Sequence, residues 1–423
     1  MPQPLAGLRV ADFSHVMAGP FCTHFLRMLG AEVVKVESPA GDNFRSYGPF
    51  REYDGISPAF IAANVGKKSL VLDLKSPQGL EVARRLIAQS DVVLENFRPG
   101  VMERLGLGYE AARKLRPGLV YCSVSGYGQS GPRRDYPAID NIVQATSGMM
   151  AANGSEGDPP SRVGWPVVDT YTGTLAALAV LAALLQRERF GSGQYIDVAM
   201  LDASVVLLTS LATPFLITGQ QLPRMGDVGY SGSPTSGMFA ARDGAMVSLG
   251  VVQNNHFAIL CQVLGRVELL TDPRYSTPVA RALPENAAAL KALVARSMAT
   301  RDGADWERDL SRLGVPCGLV RTVGETCEMD SLADRGLFMP TAVPGVRPRP
   351  EGARYVNAGF RFEQDGPGVA ASAPLLGEHS REVLVGLGYA DDEIGQLLAS
   401  GAVRQQSPPS QEQQADQSLL SRA

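Results

Sequence analysis

Short apolar runs alternate with helical patterns through the first third of the chain, and that alternation predicts a largely parallel sheet. Residues 8–13, 32–37, 69–74, 91–96 and 119–124 read as strands, compact apolar runs separated by polar or Gly/Pro-containing turns. Between them, 19–29, 77–89 and the stretch near 100–115 read as helices. A longer helix opens near Asp169, carries small apolar residues over 175–185 and stops at Gln186-Arg187-Glu188-Arg189. Gly191-Ser192-Gly193-Gln194 then turns the chain into a strand at 195–198, followed by an apolar helix at 201–211. Strands alternating with helices imply an α/β domain with a doubly wound, mostly parallel sheet covered on both faces.

The pattern changes near residue 220. Residues 224–237 are rich in Gly, Ser and Thr and read as a mobile loop. A smaller α/β unit follows, with a strand at 245–251 and helices at 255–264 and 285–300. Residues 329–350, rich in Pro, Gly and Arg, read as a crossing linker; a strand at 355–362 and helices at 378–387 and 391–399 close the folded part. The expected organisation is a large domain whose N-terminal part is 1–224, a small domain at 225–328, and the linker and C-terminal part of the large domain at 329–404. A tail at 405–423, dominated by Gln, Ser and Pro, is expected to be disordered.

Composition narrows the function. A net charge of −4 over 423 residues, with 45% hydrophobic and 19% charged residues, suggests a globular protein with neither nucleic acid nor membrane as partner. The longest apolar run, within 175–185, is about half of the ~20 residues that a bilayer crossing needs. The N-terminus lacks the pattern of a secretion signal, and five scattered cysteines read as free thiols, so a cytoplasmic location is expected.

Several motifs have ordinary explanations. Gly126-Tyr127-Gly128-Gln129-Ser130-Gly131 matches a dinucleotide fingerprint, but Pro132-Arg133-Arg134-Asp135-Tyr136-Pro137 follows where a helix should begin. The four histidines share no metal-ligand spacing, so no metal site is expected. No nucleophile elbow or phosphate-binding loop is present. Asp169 stands at a helix start, where free N–H groups and the helix dipole favour a carboxylate. It reads either as an N-cap or as an ionised, partly dehydrated nucleophile. Ser14–Pro20 follows the first strand, and Glu95-Asn96-Phe97-Arg98-Pro99-Gly100, with Arg104 beyond, follows a later one. Both lie at the end of a parallel sheet where ligands usually bind.

These segments, in this order, resemble the class III CoA-transferases, the family of formyl-CoA transferase and carnitine CoA-transferase. The likeness runs from about residue 5 to 398. It rests on residues 16–20, 69–75, 95–100 with Arg104, 125–132, Asp169 with Thr170 and Gly173, and 191–202. The resemblance implies a Rossmann-like large domain, a smaller α/β domain and an interlocked homodimer. It makes Asp169 the nucleophile, passing through aspartyl anhydride and aspartyl-CoA thioester intermediates, with an acyl-CoA and a small carboxylic acid as substrates and no prosthetic group. CoA is expected against Met17, Ala18, Leu72, Asp73, Leu74, Lys75, Asn96, Phe97, Arg98, Arg104, Tyr136, Pro137, Ala138 and Ile139. Asp140 is expected beside the nucleophile, and Ser231, Gly232 and Ser233 in a loop that closes over the intermediate.

Departures from the family pattern bear on specificity. Met17 and Ser38 replace a glutamine and an arginine of formyl-CoA transferase, which argues against formate or oxalate; succinyl-CoA and small dicarboxylates are the expected substrates. The family also includes alpha-methylacyl-CoA racemases, which resemble one another in a Gly-His-Asp triplet. Here the matching stretch is Ala138-Ile139-Asp140, and isoleucine cannot exchange a proton, so transferase ranks above racemase. A non-catalytic CoA-binding protein ranks below both.

Overall fold

In the computed structural model, residues 3–48, 56–228, 231–343, 352–369 and 371–406 are described. They contain strands β1 (Arg9–Asp12), β2 (Glu32–Glu37), β3 (Lys68–Leu72), β4 (Val92–Glu95), β5 (Val120–Ser125), β6 (Gln194–Ala199), β7 (Ser236–Ala240), β8 (Met246–Gly250), β9 (Cys317–Leu319), β10 (Phe338–Thr341), β11 (Ala353–Val356) and β12 (Val403–Arg404). The large sheet runs β12-β3-β2-β1-β4-β5-β6. It is parallel except for β12, which pairs antiparallel with β3. Ala11 in β1 faces Val34 on one side and Val93 on the other. Such β-branched, doubly buried runs suit a sheet covered on both faces. The strand order reverses between β1 and β4, which opens a crevice at their C-terminal ends.

Helices cover both faces. On one, the Pro77–Ala88 helix buries Val82, Ala83, Leu86 and Ile87 in a core with Leu70, Leu72 and Val93. On the other, the Ala18–Met28 and Val167–Phe190 helices pack with Val10, Val92 and Val120. The Val167–Phe190 helix has 24 residues and is apolar enough to cross a bilayer, which corrects the expectation of an apolar stretch about half that length. Ala176, Ala177, Val180, Ala183 and Leu184 on its inner face belong to the core, as in a core helix of a globular protein.

Other expectations shift for local reasons. The single helix near 100–115 divides into Val101–Arg104 and Tyr109–Leu115, because Gly106 takes a φ of 70° between them. The apolar 201–211 stretch becomes Met200–Leu207 and Thr209–Thr218, bent by 81°. The 355–362 strand stops at Val356. The Gly303–Arg312 helix has no apolar run, and it is held by Trp306 and Leu310, buried one turn apart.

The chain divides into two compact units: Met1–Met149 with Val163–Thr213 and Asp330–Ala423, and Met150–Arg162 with Pro214–Met329. The division therefore falls before the expected boundary at 224. Residues 150–162 join the smaller unit, where Arg224 donates to the carbonyls of Ala151 and Asp158. That unit has its own core around Phe239, Val247, Leu260, Leu290 and Trp306. The expected linker contains the Asp330–Asp334 helix and β10. Its residues 344–350, and 407–423 of the expected tail, lie outside the described residues.

Candidate active site

The loop after β1 sits at the switch point and is held by buried side chains. Asp12 accepts from the main-chain N–H of Ser14 at 3.0 Å and from its hydroxyl. Lys35 donates to the Ser14 carbonyl at 2.8 Å. Asn96, just past β4, accepts from the His15 N–H at 2.9 Å and donates to the His15 carbonyl at 2.8 Å. It thus ties the ends of β1 and β4 together. Asp42 accepts from the Val16 N–H with both carboxylate oxygens, at 3.1 and 3.2 Å. Two buried ion pairs support the loop: Lys35–Asp42 at 2.8 Å and Lys67–Asp12 at 3.1 Å. Lys67 also donates to the Pro20 carbonyl at 2.9 Å, which fixes the first turn of the Ala18–Met28 helix.

The second part of the site is the start of the Val167–Phe190 helix. Its N-cap is Pro166, and Asp169 is its third residue, so Asp169 does not cap the helix. Asp140 does that work. Its Oδ2 accepts from the N–H groups of Val168 at 2.8 Å and Asp169 at 3.0 Å, while Oδ1 accepts from Gln144 at 2.6 Å. The free donors expected to hold Asp169 ionised are therefore already engaged by another carboxylate. Burial, and then the charge of Asp140, push the Asp169 carboxyl up to about 7, a correction to the permanently ionised acid read from the sequence.

One turn beyond Asp169, on the same side of the helix, lies Gly173. A Cβ there would come within 2.5 Å of the Ala18 carbonyl oxygen and 2.9 Å of the Phe21 Cβ. Glycine thus lets the two helices meet backbone to backbone, and it brings Met17 and Ala18 to the Asp169 end of the long helix.

A cavity of about 520 Å³ opens at the C-terminal ends of β4 and β5. Asn96, Phe97 and Arg98 line one wall and Tyr136, Pro137, Ala138 and Ile139 another, so two distant groups of expected CoA-binding residues come together. The Asn96 amide is already committed to the His15 main chain. Phe97 meets the His15 ring edge-on at 4.6 Å. Beneath them, burial pushes the Glu95 carboxyl up to about 7, although it accepts from the Phe97 N–H at 2.9 Å.

Arg134 also lines the cavity and was not among the residues expected to bind CoA. Arg104 is not in the lining, but Arg104 Nη1 and Arg134 Nη2 lie 3.1 and 3.8 Å from the Cβ position of Gly100, so the two guanidinium groups converge on one turn. The only sequence signal for Arg134 was its place in the segment leading to Tyr136.

Met17, Ala18, Leu72, Asp73, Leu74, Lys75, Asp140 and Asp169 are not among the cavity's lining residues. Leu72 is buried in β3, paired with Val403, and Asp73 accepts from the Lys75 N–H at 3.0 Å in the turn that follows. Ser231, Gly232 and Ser233 belong to the smaller unit, where Ser233 donates to the Val251 carbonyl at 2.9 Å. The glycine motif at 126–131 opens no helix. Gly128 donates to Ser125 and Gln129 to Asp197, and a Cβ on Gly126 would lie 2.2 Å from that of Ala138 in the cavity wall. Close packing accounts for that glycine.

The chain matches the family model described as CoA-transferase family III over residues 5–380. It is 36% identical over 410 residues to a succinyl-CoA:glutarate CoA-transferase of Mus musculus, covering 95% of this chain and 91% of that protein. It is 35% identical over 405 residues to a succinyl-CoA–D-citramalate CoA-transferase of Chloroflexus aurantiacus, covering 95% and 98%. Among solved structures, a CAIB/BAIF family protein from Brucella suis superposes with a TM-score of 0.81 at 32% identity, covering 92% of this chain and all of that one. The match over residues 5–380, with relatives more than 30% identical along nearly their whole length, places the protein in CoA-transferase family III.

Proposed function

We propose that the protein moves CoA from an acyl-CoA donor to a small dicarboxylate, with Asp169 as the nucleophile. The observation that carries this reading is Asp169 itself: a partly buried acid in the first turn of the long helix, its N–H held by Asp140 and its carboxyl raised to about 7 with no cation paired to it among the described residues. An Asp169 carboxylate oxygen attacks the thioester carbonyl, the C–S bond breaks, and CoA leaves as thiolate from a mixed anhydride. The thiolate then attacks the aspartyl carbonyl and releases the donor acid as its carboxylate, leaving an aspartyl-CoA thioester. The acceptor carboxylate repeats both steps in reverse. One thioester replaces another, so no ATP, metal or prosthetic group enters the scheme.

A carboxyl whose pKa is near 7 is more basic than an ordinary Asp and a stronger nucleophile once ionised. Arg98 and Arg134 suit the phosphates of CoA, since guanidinium pairs with phosphate through two hydrogen bonds. The names of the relatives, which join succinyl-CoA to glutarate and to D-citramalate, support succinyl-CoA as donor and a dicarboxylate as acceptor. We read the assembly as a homodimer. Leu216 and Ile217, each 78% exposed on the Thr209–Thr218 helix, are consistent with a partner surface.

The test is transfer from succinyl-CoA to glutarate, followed by mass spectrometry. Asp169→Asn is expected to lose about 10⁴-fold or more in kcat, as removal of a nucleophile does. In the wild type, hydroxylamine added during turnover should modify Asp169 alone. Turnover by Asp169→Asn near the wild-type rate excludes this nucleophile.

A further inference from the structure

Val16 has a φ of 65°, in the left-handed region that β-branched residues rarely enter. Its side chain is 40% exposed, so core packing does not impose this conformation. Hydrogen bonds from the main chain do. The N–H and C=O groups of Ser14 and His15 and the N–H of Val16 are all engaged by side chains, those of Asp12, Lys35, Asn96 and Asp42. Strained backbone of this kind persists only where its surroundings over-determine it, and it concentrates at functional sites.

Asp42 is the residue that acts on Val16 directly. Both of its oxygens accept from the Val16 N–H, and it is itself fixed by Lys35 and by the Phe44 N–H at 3.0 Å. Asp42 is 5% exposed and Lys35 fully buried, so the pair has little freedom to move. The next two residues are Met17, the N-cap of its helix, and Ala18, whose carbonyl abuts Gly173 one turn from Asp169. A change of φ at Val16 would therefore swing Met17 and Ala18 relative to Asp169.

We propose that Asp42 is a positioning residue for CoA transfer: it holds Val16 in the left-handed conformation and so fixes Met17 and Ala18 beside Asp169. Asp42 touches no reacting atom in this scheme, and its role rests on the function proposed above. Glycine adopts a positive φ without penalty, so a glycine at position 16 would hold the loop shape with less help from Asp42. Proline fixes φ near −65° and has no N–H to donate, so it would forbid that shape.

The experiment measures kcat and KM for succinyl-CoA with glutarate, the thermal midpoint, and hydrogen exchange of the peptide spanning 13–18. It uses the full-length wild type, Asp42→Asn, Val16→Gly, the double variant and Val16→Pro. Asp42→Asn puts an NH2 donor where one oxygen now meets Lys35 and leaves a single oxygen for the Val16 and Phe44 N–H groups. It is expected to lower kcat by about a hundredfold, the scale of a small misplacement at a reacting centre, with KM little changed. The 13–18 peptide should lose protection in the same variant. Val16→Gly should stay near the wild-type rate and restore most of the loss when combined with Asp42→Asn. A purely structural Asp42 would lower the thermal midpoint without a selective loss of kcat and without rescue by glycine. Wild-type kcat in a folded Asp42→Asn, or no rescue in the double variant, overturns the proposal.

If Asp42→Asn fails to fold, Val16→Pro decides: wild-type kcat there overturns the proposal, and a selective loss of kcat sustains it. If the wild type transfers no CoA, the functional reading and the positioning role of Asp42 in transfer fall together. The exchange data then still tell whether Asp42 orders the loop.

Discussion

Two carboxyl groups, Asp12 in the buried cluster behind the β1 loop and Asp169 at the start of the Val167–Phe190 helix, are driven in opposite directions by their surroundings. Around Asp12, burial would raise the carboxyl, but Lys67 and Lys35, with the Ser14 and Thr23 hydroxyls, overcome it and bring it down to about 2. At Asp169 burial acts the same way and no cation answers it. Burial and then the charge of another acid, Asp140, raise the carboxyl to about 7. Burial alone does not make a carboxylate reactive; the sign of its neighbour does. The paired cluster holds the loop after β1, and the unpaired acid is the one proposed above as the nucleophile.

The largest expected effect comes from breaking the paired side. Lys67→Met leaves Asp12 short of its counter-charge and should cost about 3–5 kcal/mol in urea unfolding. The double variant Asp12→Asn with Lys67→Met should recover part of that loss, because no uncompensated charge then stays buried. A single variant as stable as the wild type would mean that water or Lys35 already carries the Asp12 charge.

The junction comes next. Gly173→Ala places a methyl where the Ala18 carbonyl now sits and should cost about 1–3 kcal/mol, the usual penalty of overpacking. It should also lower kcat, because the two helix starts are pushed apart. An unchanged melting temperature would show that the helices separate freely.

The smallest effect, and the sharpest test of the comparison, is in pH dependence. The folded pKa of Asp169 is about 7 against an ordinary 3.8, so the folded protein binds the extra proton between those values. Its contribution to stability therefore falls as pH rises from about 4 to about 7, while the role proposed for Asp169 predicts that kcat rises through about 7 as its carboxyl ionises. Asp12 behaves oppositely. Its folded pKa is near 2 against 3.8, so its contribution is present above 3.8 and is lost as pH falls toward 2. Asp140→Asn keeps an oxygen to accept from Val168 and Asp169 but removes the charge. The kcat profile should move to lower pH by up to about one unit, within the usual spread of such shifts. A profile that stays in place would assign the high pKa of Asp169 to burial alone.

Local periodicity made much of this molecule readable. The β2 strand at 32–37 was legible to the residue, because a compact run rich in β-branched valine, bounded by turn residues, is written into consecutive positions. The helix carrying Asp169 was legible from its small apolar residues, and the pairing of Asn96–Arg98 with Tyr136–Ile139 was anticipated through family resemblance. Asp42 was not singled out, although a lysine and a glutamate inside a buried strand, Lys35 and Glu37, were a signal that partners must exist.

The sequence by itself determined the alternation of strands and helices and the presence of an acid at a helix start. Those features depend on neighbours within one or two turns, so a linear reading reaches them. Only the tertiary structure decided which acid caps that helix and which is left without a cation. Asp140 reaches the Asp169 N–H from 29 residues away, and Lys67 meets Asp12 across 55. Electrostatic energy depends on distance in space and on lost solvation, and neither follows from separation along the chain.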